Sequence, residues 1–267
     1  VRPGQPSVFS VEAANGKVTW RGALEGRYAP DRTLKVGASD ALWPNPSQHK
    51  RVPTGGSLAG EHHITGQGVP NTLKFTLGEQ HDFMPKLALS ASGTLQDGQT
   101  WQWQPQPRAQ AYFLHATGVK GNDIILWSSS ETSDAGMGVL DYLPASTLQA
   151  WLKQKVLLPT SATRCELPAG IFGASEAGDA NAMGMLRMIA YGPESSIVYP
   201  PKPADPKAPW TPEWSVRVRT KSTAMAIMGM DLSAMNAAAD AEPEQEQAPA
   251  KDAQPGVKQL LKGLWGK

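Results

Sequence analysis

The sequence predicts a mainly β chain folded as an antiparallel β-sandwich. Three observations predict it. Trp101 and Trp103 stand two apart and so share one face of a strand; after a short Pro-containing loop, Tyr112, Leu114 and Ala116 alternate down a second strand. Asn15-Gly16, the preferred dipeptide of a type I′ turn, separates two alternating runs. Trp214 to Lys221 alternates strictly, with Trp214, Val216 and Val218 on one face and Ser215, Arg217, Arg219 and Lys221 on the other.

The first hairpin is specified twice over. A two-residue loop at Asn15-Gly16 pairs Ala13 with Val18 and Val11 with Trp20, which puts Phe9, Val11, Ala13, Val18 and Trp20 on one face. Residues 37–72 show little periodicity and read as long loops with short edge strands. Residues 72–77 and 86–95 read as strands. At Asp97-Gly98 a three-residue loop (Asp97, Gly98, Gln99) with a glycine bulge would set Trp101 opposite Leu95 and Trp103 opposite Gly93. Residues 145–156 form the one helix, with Leu148, Trp151, Leu152 and Val156 on its apolar face and Ser146 as cap. Residues 164–167 and 185–191 are strands separated by a Gly/Ala-rich insertion, and a Pro-rich crossing leads to the strand at Trp214. Trp20, Trp101, Tyr112 and Val218 are the expected core.

Composition bounds the function classes. The 267 residues suffice for one large domain or two ordinary ones. With 25 basic and 24 acidic residues the net charge is +1, so no global field favours nucleic acid or an acidic membrane. The 26 glycines and 23 prolines suit many strands joined by many turns. Nine tryptophans outnumber the five phenylalanines and the five tyrosines, and in a β protein such rings are core material first. The single Cys165 excludes an intramolecular disulfide, CxxC redox chemistry and thiolate zinc sites; mid-strand between Arg164 and Glu166, it is expected to be a buried free thiol. No apolar run is long enough for a transmembrane helix. The chain opens on Val1 and a polar lead, which reads as a mature product after signal cleavage or as a trimmed chain.

The tail changes character twice. Residues 236–255 carry five acidic residues and one lysine among Ala, Gln and Pro, the composition of a disordered acidic linker. Residues 256–267 place Val257, Leu260, Leu261, Leu264 and Trp265 on one helical stripe flanked by Lys258 and Lys262. A helix this short is marginal alone, so the stripe is expected to dock on a protein partner or a membrane surface. The domain organisation is thus a β-rich region over 1–94, either an extension or a second small sandwich, the main sandwich with its inserted helix over 95–232, the linker and the docking peptide.

The run from Trp103 to Leu114, W-x-P-x-P-x-A-x-A-Y-x-L, resembles the B–C region of fibronectin type III domains, where a core Trp is followed by a core Tyr. Leu167-Pro168-Ala169-Gly170 with Met188-Ile189-Ala190-Tyr191-Gly192 is similar to the E–F region of the same fold. The resemblance covers about residues 95–225 and implies an immunoglobulin-like sandwich, but no particular activity.

Few residues point to chemistry. Glu61, His62 and His63 form the densest ligand cluster; on a strand the two histidines face apart, on a loop they could converge on a metal, and solvated histidines are the expected reading. Gly173 to Ala177 lacks the last glycine of a nucleophile elbow, so no catalytic role is expected of Ser175. Ser128, Ser129, Ser130 and Glu131 read as a polar strand end, with Asp134 and Asp141 as further acids. Trp43 and Trp210, beside prolines, are candidate stacking platforms for a glycan or a Pro-rich peptide. Arg217, Arg219 and Lys221 read as a solvated face. The expectation is a non-catalytic binding or scaffold protein of the bacterial cell envelope, periplasmic or extracellular, without metal or cofactor. The alternative is a carbohydrate-binding module or a polysaccharide-acting enzyme using loop tryptophans and Glu131, Asp134 or Asp141.

Overall fold

The structure is a computed structural model that describes residues 10–14, 17–21, 27–30, 37–44, 52–120, 123–172 and 184–228. Along the chain run β1 (Ser10–Ala14), β2 (Lys17–Arg21), β3 (Gly60–His63), β4 (Lys74–Leu77), β5 (Leu89–Thr94), β6 (Gly98–Trp103), β7 (Ala111–Lys120), β8 (Asp123–Ser128), α1 (Ala145–Lys153), β9 (Arg164–Leu167), β10 (Gly184–Tyr199) and β11 (Trp214–Met228). The protein is mainly β, and every strand pair is antiparallel. One four-stranded sheet has the order β11-β10-β7-β8 and one three-stranded sheet the order β5-β6-β9; β1-β2 and β3-β4 are separate hairpins. The described residues all belong to one compact unit.

The two larger sheets share one core. Trp101 and Trp103 of β6, with Cys165 and Leu167 of β9, pack with Tyr112, Leu114 and Ala116 of β7, Trp127 of β8, Leu186, Met188 and Ala190 of β10, and Met228 of β11. Trp103 meets Tyr112 edge-on at 5.5 Å between ring centroids, so the Trp–Tyr pair read from the sequence is a contact. The opposite face of the four-stranded sheet is buried as well. Ala111, Phe113, Ile189 and Tyr191 on that face pack against Val139, Leu143, Leu148, Trp151, Val156 and Leu157 from the segment between β8 and β9. Burial on both faces explains why β7 reads as a continuous apolar run from Ala111 to Leu114.

Several expectations hold and several are corrected. The β1-β2 register is the one the Asn-Gly turn dictates, with Val11 opposite Trp20 and Ala13 opposite Val18; the burial of Trp20 itself lies outside the described side chains. The β5-β6 register differs: Trp101 stands opposite Ala91 and Trp103 opposite Leu89. The turn is Leu95, Gln96 and Asp97, because Leu95 drops into the core and the Thr94 hydroxyl donates to the Asp97 carboxylate at 2.9 Å. Gly93 and Gly98 have φ of +85° and +105°, and a Cβ on Gly93 would lie 2.4 Å from the Gly98 carbonyl, so glycine is required there. The sheet that contains β6 starts at Leu89. Val218, expected in the core, is only half-buried.

The helix is shorter than its apolar pattern. It follows Pro144, which makes no side-chain cap, and Ser146 is exposed rather than capping. It ends because Lys155 adopts φ of 59°, which lets the Val156 N–H reach the Trp151 carbonyl at 2.9 Å and the Lys155 N–H reach that of Leu152 at 3.0 Å. This is a Schellman stop, with Lys155 where glycine is usual and Val156 packed beside Trp151. Val156 is thus buried as expected, but from outside the helix.

β10 is longer than its apolar core predicts. It pairs with β7 only from Gly184 to Tyr191; a register shift then passes over Gly192 and Pro193, and residues 194–199 pair with β11 alone. Proline lacks an N–H to give a ladder, so it fits at the bulge where the β7 pairing ends. The result is a two-stranded arm running on beyond the sheet.

Cys165 is a buried free thiol opposite Trp101, and burial pushes its pKa up to about 12, so essentially no reactive thiolate forms at neutral pH. Trp101 has no exposed surface and its indole N–H finds no protein partner. We expect Trp101→Ala to destabilise by about 3–5 kcal/mol in urea melts. Trp101→Phe should cost clearly less, because it also removes the unpaired donor; equal losses for the two variants would contradict this account of the core.

Candidate functional site

The tip of the β10-β11 arm gathers aromatic rings. Tyr199 stacks on Trp214 with centroids 5.4 Å apart and planes 11° apart; Trp214 is buried and Tyr199 is 40% exposed. The Trp214 indole N–H donates to Thr72 Oγ1 at 3.3 Å, and the Thr72 hydroxyl donates to Glu213 Oε2 at 2.8 Å. Trp210 is half-buried, its N–H held by the Pro200 carbonyl at 2.9 Å. Trp43 is 65% exposed and leans on Phe83 at 6.1 Å and 44°. Of the two rings singled out in the sequence, Trp43 therefore offers a free face and Trp210 is tied back to its own loop. Tyr199 was missed; its signal is its place two residues after Ile197, directly before Pro200.

The basic row on β11 is not a bare cationic patch. Arg217 pairs with Glu194 at 2.8 Å, Lys221 with Asp141 at 2.8 Å, and Arg219 and Lys221 lie 4.5 and 4.1 Å over the Tyr142 ring. The contacts to Asp141 and Tyr142 hold the β8–β9 segment against β11, and the Arg217–Glu194 pair ties β11 to β10. The acids considered for polysaccharide chemistry are each engaged by a different cation: Glu131 by Lys155 at 2.8 Å, Asp134 by Arg27 at 3.1 Å, and Asp141 by Lys221. Asp134 is fully buried and also accepts the N–H groups of Arg27 and Gly136. It anchors the turn that carries Gly136 and fastens residues 27–29 to the segment after β8, where the Ala29 N–H donates to the Gly138 carbonyl.

Glu61, His62 and His63 lie on β3, where His62 is half-buried and its two neighbours are exposed. The His62 ring stacks on Phe75 at 4.9 Å and its Nε2 meets the Leu58 carbonyl at 2.7 Å, so the two histidines do not converge. Among the described residues no group of three His, Cys, Asp or Glu side chains is placed to hold a metal ion. No described helix is long and apolar enough to cross a membrane. Ser175 and the docking residues Val257, Leu260, Leu261, Leu264 and Trp265 lie outside the described residues.

The least expected polar group is His115. It sits in β7 on the face of Ala111 and Phe113, 4% exposed; the Ala135 backbone lies beside its ring, but neither nitrogen reaches it in good hydrogen-bond geometry. Sequence alternation places a histidine on an apolar face here, but strand parity alone does not say that this face is covered. Burial first, and then the nearby Arg187 guanidinium, pull its pKa down to about 4; the Ala135 backbone and Asp134 oppose this without cancelling it.

No protein-family model matches this chain, and neither a curated protein nor a solved structure does.

The His115 shift fixes a pH dependence. In the unfolded chain the ring titrates near 6.5, so between that value and about 4 the unfolded state binds more protons. The stability gained from a neutral His115 is fully present above about pH 6.5 and is lost as the pH falls toward 4, by up to roughly 3 kcal/mol. Urea melts across this range should show the loss, and His115→Leu should flatten it; an unchanged slope would show that other groups set the acid limb.

Proposed function

We propose that this chain is a non-catalytic binding or scaffold protein of the bacterial cell envelope, periplasmic or extracellular, built on a fibronectin-III-like β-sandwich and docking through its C-terminal peptide. The strand order supports the sandwich reading. Lettered from β5, strands A, B and E (β5, β6, β9) share one sheet and strands C, F and G (β7, β10, β11) the other, with β8 at the C′ position, as in immunoglobulin-like folds. The non-catalytic reading is carried by one observation: Glu131, Asp134 and Asp141 are each engaged by a separate cation. The docking reading rests on the stripe of Val257, Leu260, Leu261, Leu264 and Trp265 behind an acidic linker. Burying large side chains gains about 1.5–3 kcal/mol each, only narrowly above the cost of ordering a dozen residues, so docking is weak and reversible.

Deleting residues 236–267 should leave the melting temperature within a degree or two of that of the full chain, as expected of a tail that docks elsewhere than on its own domain. The same truncation, or Leu260→Ala with Trp265→Ala, should abolish co-sedimentation with envelope extracts or lipid vesicles. Retained association in both variants would refute the docking role, and a large fall in melting temperature would show that the tail belongs to the sandwich.

The exposed ring of Trp43 and the outer face of Tyr199 favour a second reading, a carbohydrate-binding module. Under that reading, soluble glycans should change the intrinsic fluorescence of the wild type and not of Trp43→Ala or Tyr199→Ala; an unresponsive wild type excludes it for the glycans tested.

A further inference from the structure

We propose that the chain self-associates through the open edge of β11, where residues 222–228 of two copies pair antiparallel across a two-fold axis at Met225. β11 is an outer strand of its sheet, and among the described strands it pairs with β10 alone.

The ladder tells which backbone groups are left over. Tyr112 exchanges both of its backbone bonds with Leu158, and the Leu114 carbonyl accepts from the Ser129 N–H, so the even-numbered residues of β7 turn their backbone groups away from β10. The odd-numbered ones therefore bond to β10, at Tyr191, Ile189, Arg187 and Met185. Backbone groups alternate sides along a strand, so the even-numbered residues of β10 bond to Ser222, Ala224 and Ala226 of β11. Thr223, Met225 and Ile227 are left with N–H and C=O groups turned outward, and no described residue pairs with them.

Their side chains are accessible as well. Met225 is 68% exposed, Thr223 is exposed and Ile227 is half-buried, whereas Ala226 and Met228 close the core behind them. A bare edge of this kind is a template for another strand, and proteins blunt such edges with charge, proline or a bulge. The first half of β11 is blunted by Arg217, Arg219 and Lys221. Residues 222–228 carry neither charge nor proline, and they pair with β10 without a register shift.

The occupant that fits is a second copy, because the segment is self-complementary. With Met225 opposite its own copy, Thr223 stands opposite Ile227 and Ser222 opposite Met228. Thr223, Met225 and Ile227 then each exchange both outward backbone bonds with their opposite residues, and the two β-branched residues lie side by side on the pleat. No like charges meet. Lys221 is held by Asp141, and the two Arg187 side chains, each opposite Met225 on β10, stand three strand spacings apart, roughly 14 Å and beyond the screening length at physiological salt. So short a strand pair is small beside the roughly 20–30 residues a side of a standard interface, so the dimer is reversible and concentration-dependent. This pairing uses no residue of the tail and stands whether or not the docking reading holds.

The test is sedimentation of the full chain from low to high micromolar concentration, where the average mass should rise toward that of two chains. Met225→Pro removes an N–H that bonds nothing within the chain, so the fold should melt as the wild type does at low concentration while dimerisation is abolished. Met225→Lys, which sets two ammonium groups face to face, should weaken dimerisation roughly tenfold. Under mild oxidation Met225→Cys should cross-link two chains, since directly opposite Cα atoms about 5.5 Å apart suit a disulfide. Thr223→Cys, four residues out of register with its own copy, should not, and the native Cys165 is buried. The proposal is wrong if the dimer survives Met225→Pro and Met225→Lys, or if Thr223→Cys cross-links as readily as Met225→Cys. It is also wrong if the wild type stays monomeric throughout, which would leave the edge to a strand of another protein.

Discussion

The structure depends on the pairing of β7 with β10. These two central strands join from Gly184 opposite Gly118 to Tyr191 opposite Ala111, and both of their faces are buried. Their even-numbered residues face the three-stranded sheet and their odd-numbered residues face the segment around α1. A one-residue slip would exchange the two sets and thrust Tyr112 and Met188 into the space shaped for Phe113 and Ile189. Two cores that differ in shape therefore fix one register, and the outer strands take theirs from it.

Much of this was legible in the sequence, for identifiable reasons. The β1-β2 register was legible because turn chemistry and alternation agreed. The contact between Trp103 and Tyr112 was legible because both sit on apolar faces either side of a short loop. The β5-β6 register was not, since Leu95 reads as one more strand residue until the depth of the core draws it inward. The helix end was not, because nothing in the residue type of Lys155 announces a left-handed backbone. The length of β10 was masked by Gly192 and Pro193, which read as a strand stop and instead form a bulge.

The candidate sites were less legible than the fold, because function here depends on which charges find partners. Arg217, Lys221, Glu131 and Asp141 look like free surface charge in the sequence and are joined in the structure. Arg187 and His115 look like interruptions of apolar strands, and the structure sets them opposite each other on β10 and β7. Sequence distance conceals this kind of pairing: Arg27 and Asp134 meet although the chain between them contains most of both sheets' early strands.

The segment between β8 and β9 leaves the flank of β7 where the Ser129 N–H donates to the Leu114 carbonyl. It returns where Leu158 and Tyr112 exchange two backbone bonds, at 2.9 and 2.8 Å. Departure and return are thus two residues apart on one strand edge, and Leu158 continues the ladder that β8 abandons. Such a loop is closed at its neck, so its interior length is decoupled from the sheet. Doubling a flexible stretch inside it would cost only about 0.6 kcal/mol of closure entropy, provided that the side chains which roof Phe113 and Ile189 are kept. In evolutionary terms the excursion is a module that can gain or lose length between its roofing residues while the two sheets stay as they are.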